Sequence, residues 1–67
     1  MKPTQQAQQD FATAIQMIDA IKKIKHENET AHNYIAFATH AIYSAFESKY
    51  YTCKENTDLV KKLKQYY

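Results

Sequence analysis

Apolar residues return along this chain at alternating steps of four and three. Ala7, Phe11, Ala14, Ile18 and Ile21 keep that rhythm, and Ile15 widens the stripe. Ala31, Ile35, Ala38, Ile42 and Ala45 repeat it, with Phe46 beside them. A helix stacks residues three and four apart on one side, so each stretch predicts an amphipathic helix.

Local signals set the boundaries. Pro3 suits a helix opening and Thr4 a cap, so the first helix is predicted over about Thr4–Lys25. Lys22, Lys23 and Lys25 crowd its end, where the helix dipole favours cations. His26 to Thr30 is a polar break. Asn28 is expected to end the first helix in place of a glycine, and Asn28 or Thr30 to cap the second. The second helix is predicted over about Thr30–Tyr51. Thr52 to Asn56 forms another break. Asn56 or Thr57 is expected to cap a third, short helix with Asp58 in its first turn. Leu59, Val60, Leu63 and Tyr66 or Tyr67 form its apolar face, and Lys61, Lys62 and Lys64 point away. The expected fold is all-α: a long antiparallel helical hairpin plus a short C-terminal helix. It makes one domain over 1–67, with 1–5 frayed.

At 67 residues the chain buries a modest share of its surface. Small domains need a staple, and the single cysteine, Cys53, rules out an internal disulfide. A partner protein or a homodimer is the expected support. The alternating Ile and Ala of the second helix make a narrow ridge suited to close helix approach, so it doubles as a candidate dimer seam.

Composition also excludes. Glycine is absent, which removes Gly-rich phosphate loops. All nine basic residues are lysine, so bidentate arginine recognition is missing, and the net charge is only +2. No run is long and apolar enough to cross a bilayer, and no apolar segment follows Lys2 as a signal peptide would require. A single unpaired cysteine fits a reducing compartment, so the expected location is cytoplasmic. Short length and residue use biased toward Lys, Ile, Asn and Tyr are similar to those of small phage-encoded proteins that bind a host protein.

Candidate chemistry is sparse. His32 and His40 lie about two helical turns apart, too far to share one metal ion directly. His26, Glu29 and His32 straddle a break, and zinc wants three or four well-spaced ligands. Cys53 beside Lys54 lacks a motif supplying a base. No metal site or cofactor is predicted. His40, Tyr43, Glu47, Tyr50 and Tyr51, with Phe37, spread over the side of the second helix that solvent normally takes. An acid, an imidazole and phenols together suit proton transfer. In a chain too short to wrap a pocket they suit a protein contact better, since tyrosine offers area and a polar handle. The expected function is a non-enzymatic regulator or inhibitor that occludes a partner's surface. The alternative is nucleic-acid binding through Lys22, Lys23, Lys25, Lys61, Lys62 and Lys64, with Tyr66 and Tyr67 as stacking platforms.

Overall fold

The computed structural model describes residues 3–25 and 27–66. Met1, Lys2, His26 and Tyr67 lie outside them, and with them the expected roles of His26 and Tyr67. Three helices form: α1 (Gln5–Lys22), α2 (Glu29–Tyr50) and α3 (Thr57–Tyr66). A 3₁₀ turn at Lys54–Asn56 leads into α3, and no strand occurs among the described residues. The all-α arrangement of a long hairpin and a short third helix is therefore present.

Caps decide where the first two helices start. The Thr4 hydroxyl accepts from the Ala7 amide at 3.2 Å, satisfying one of the free N–H groups of α1. Asn28 does the same for α2, its Oδ1 accepting from the Ala31 amide at 2.8 Å. Asn28 has extended backbone (φ −150°), so it opens α2 and does not end α1 as a glycine substitute. Helix α1 instead closes at Lys23 in ordinary right-handed geometry. Among the described residues no backbone takes a positive φ, which is how the turns do without glycine.

Asn56 departs from its expected role. It does not cap α3. Its side chain turns toward α1, where Oδ1 accepts from the Thr4 amide at 3.0 Å and Nδ2 donates to the Thr4 hydroxyl at 3.4 Å. The residue is 1% exposed, so a buried amide holds the start of α1 against the start of α3. Next to this clasp the Pro3 carbonyl accepts from the Gln8 side chain at 3.0 Å.

At its other end α3 meets the end of α1. The Tyr66 hydroxyl donates to Asp19, and Lys22 Nζ donates to the Tyr66 carbonyl at 3.4 Å. With both ends so placed, α3 runs alongside α1 and against α2. The molecule is a rod, 44 × 17 × 16 Å.

The core joins Ala7, Ala14 and Ile18 of α1, Tyr43, Phe46 and Tyr50 of α2, and Leu59, Val60 and Leu63 of α3. Phe11, Ile15 and Ile42 pack on its edge. Helix α1 buries the face its rhythm predicts. Helix α2 does not. Its buried residues are Thr39, Tyr43, Phe46 and Tyr50, the predicted stripe displaced by one position, or about 100° of helix rotation. Ala45, the last residue of that stripe, is exposed. Thr39 is accommodated because its hydroxyl donates to the Ala36 carbonyl at 2.9 Å.

Asn56→Ala should destabilise the fold by about 1–3 kcal/mol, the usual cost of stranding buried hydrogen-bond partners. Tyr43→Ala should cost about 3–5 kcal/mol as a large-to-small core change. Urea melts followed by circular dichroism check both, and wild-type midpoints would contradict this packing.

Candidate functional site

The rotation of α2 splits the aromatic face expected from sequence. Tyr43 and Tyr50 are 5% exposed and belong to the core, so little of either is open at the surface of the chain. Phe37, His40 and Tyr51 stay exposed and Glu47 is half-buried. Phe37, His40, Glu47 and Tyr51 recur at steps of three, seven and four, so they line one side of α2.

Burying a tyrosine requires a partner for its hydroxyl. Tyr43 donates to Glu47 one turn on. Tyr50 donates to Asp10 of α1, and Lys49 Nζ reaches the same Asp10 oxygen at 2.8 Å. The ammonium also sits 5.3 Å from the Tyr50 ring centroid. This three-residue knot pins α1 to α2. It alters the titration of its members. The bonds from Lys49 and then Tyr50 pull the Asp10 carboxyl down from 3.8 to about 2. Burial, and then the bond to Asp10, push the Tyr50 phenol up, and the Asp10 bond also raises Lys49. Tyr66 is raised by its bond to Asp19.

Two concave surfaces flank α2. One is a cleft of about 220 Å³ against α3, lined by Tyr43, Glu47 and Tyr51 on one side and Val60, Lys61 and Lys64 on the other. It joins half of the expected contact face to two of the expected phosphate-binding lysines. The other is a groove of about 360 Å³ formed by α1 and α2 alone, on the face of the hairpin away from α3. Thr13 and Met17 of α1 and Ala41, Ile42 and Ala45 of α2 line it, with Asp10 and Lys49 at one end. Ile42 and Ala45, the end of the Ile/Ala ridge read as core and as a candidate dimer seam, form part of its wall. Met17, 47% exposed, had gone unnoticed in the sequence because only its neighbours Ala14 and Ile18 carry the four–three rhythm.

The six lysines do not gather on one surface. Lys61 and Lys64 line the cleft with α2, whereas Lys22 is drawn to Tyr66, its ammonium 5.4 Å from the ring centroid. Helical periodicity sets Lys62 on the side of α3 toward α1. Lys23 and Lys25 stay exposed beyond the end of α1, where Lys25 pairs with Glu27 at 3.7 Å.

Tyr34 adds a surface aromatic the sequence reading had passed over. It stacks edge-on against Phe37 with ring centroids 6.2 Å apart. The signal was its spacing of three from Phe37, which puts both on one side of a helix. Cys53 is half-buried in the turn after α2. Among the described residues no group of three or more His, Cys, Asp or Glu is placed to hold a metal ion, and no helix is long and apolar enough to cross a membrane.

No family model matches the chain, and neither the curated proteins nor the solved structures include a detectable relative.

The Asp10 knot gives a signed pH dependence. A carboxyl whose folded value is depressed contributes stability that is complete above its ordinary value and lost as pH falls toward the folded one. Unfolding of the wild type should therefore keep this contribution at pH 5 and lose it between about 3.8 and about 2. Lys49 and Tyr50 are raised, so their contribution holds below pH 10 and is lost in stronger alkali. Asp10→Asn should flatten the acid limb in melts run across pH 2–5; an unchanged limb would remove the knot from the account.

Proposed function

We propose that the chain is a small, non-enzymatic protein-binding module that regulates or inhibits a partner by covering part of its surface. One observation carries this reading. Tyr34, Phe37 and Tyr51, all on or just beyond α2, are 68%, 67% and 72% exposed. Large aromatics left open on a rigid helix are the side chains that dominate protein contacts once buried. A helix is also a well-ordered platform, so little conformational freedom is lost when a partner docks.

The contact face runs along the flank of α2. Phe37 and Tyr51 supply area, and His40 and Glu47 supply polar contacts. Glu47 already accepts from Tyr43, which holds its carboxylate in place. The chain's residue use supports a phage-encoded regulator acting on a host protein. Its activity would then be occlusion, with no chemistry on the partner.

Nucleic-acid binding is the second reading, favoured by the meeting of the lysine-bearing ends of α1 and α3 at the Lys22–Tyr66 contact. The division of the six lysines between two sides of α3 weighs against it.

Phe37→Ala and Tyr51→Ala should each weaken partner binding by about 2 kcal/mol or more, roughly 30-fold, while leaving the melting temperature near wild type. Calorimetry with a partner captured from host lysate checks this. Unchanged affinity in both variants defeats the assignment. Binding that collapses with salt and follows Lys61 and Lys64 substitutions points to phosphate contact instead.

A further inference from the structure

We infer that the α1–α2 groove is the contact between two copies of this chain, which pair groove to groove with their hairpins pointing the same way. The site is separate from the Phe37–Tyr51 flank and does not rest on that assignment.

The first support is charge. The protein carries 16 Lys, Asp and Glu side chains, yet residues 11–18 of α1 and 30–46 of α2 contain none of them. Only Asp10 and Lys49 line the groove, and they neutralise each other at 2.8 Å. A face without net charge of either sign gives a strongly charged partner nothing to pair with, and it matches itself. Loss of charge at the centre of a patch is also the compositional mark of an interface core.

The second is shape. Ala41 and Ala45 leave the outward wall of α2 low, so another helix can approach closely, and Met17 is a flexible side chain able to fill the gap between them. The third is area. The rod's whole side, 44 Å long and 17 Å wide, outlines about 750 Å² per copy, so a pairing centred on the groove runs along most of that side to approach the ~800 Å² per partner of a stable interface. A second hairpin on this face would complete a four-helix core, the support that a 67-residue chain with no disulfide otherwise lacks.

Charge also sets the orientation. With a two-fold axis running along the rods, α1 of one copy faces α2 of the other at matching height. Asp10 then meets the second copy's Lys49, and the paired ends close into a four-charge ring. With the hairpins opposed, each Asp10–Lys49 pair would sit over the apolar end near Ala38 of the other copy. That arrangement buries charge against hydrocarbon.

Sedimentation equilibrium and a spin-label distance decide it. The wild type should sediment as a dimer, with a melting temperature that rises with concentration. Ala41→Glu or Ala45→Lys, both helix-compatible and exposed in the single chain, should sediment as helical monomers with at least a tenfold weaker self-association. In a Cys53→Ser background, nitroxides on Glu29→Cys should lie closer together than the 44 Å rod length, because both α2 starts fall at the same end. A monomeric wild type, or a dimer that survives both groove substitutions, overturns the groove. A label distance at or beyond the rod length overturns the shared direction.

Discussion

The structure depends on which side of α2 faces inward. Two stripes compete one position apart: Ile and Ala on one, Thr39, Tyr43, Phe46 and Tyr50 on the other. Each aromatic buries about 150–250 Å², far more than an alanine has to offer, so the aromatic stripe takes the core. Phe46 then packs edge-on to Phe11 at 6.1 Å and against Tyr50 at 4.8 Å, joining α1 to the lower half of α2. Everything outside follows from that choice. The small residues turn outward and become one wall of a shallow groove.

Inward rotation brings two phenol hydroxyls into the interior, and their partners shape the surface charge. Tyr43 is satisfied within its own helix by Glu47. Tyr50 has to reach across to Asp10, and Lys49 joins it there. The knot is a consequence of core packing before it is anything else. It neutralises the two charged side chains at the groove, which is why the face away from α3 is left almost without net field.

Most of the fold was legible because helix periodicity and caps are local. Thr4, Asn28, the α1 stripe and the Leu59–Val60–Leu63 face all declared themselves in the sequence. Rotation of α2 was not legible, since a helix with apolar residues most of the way round offers more than one acceptable face. Counting positions favoured the Ile/Ala stripe, whereas area favours the aromatics, and area governs the hydrophobic gain. The same ambiguity put Tyr43 and Tyr50, which are buried, on one outer face with Phe37, His40 and Tyr51, which are exposed. Asn56 was misread for a different reason. Its partner, Thr4, lies 52 residues away, and no local pattern encodes so distant a bond.

That Thr4–Asn56 clasp has a kinetic meaning. The hairpin of α1 and α2 is stitched by neighbouring segments, so its closure costs little loop entropy. Helix α3 is only ten residues long, too short to persist in water by itself. The clasp, and with it the completed cap of α1, waits for nearly the whole chain to be arranged. Folding should accordingly run from a hairpin nucleus toward a late docking of the third helix, with the first turn of α1 among the last parts to lock. In protection against amide exchange, the opening residues of the chain would rise and fall together with its closing helix.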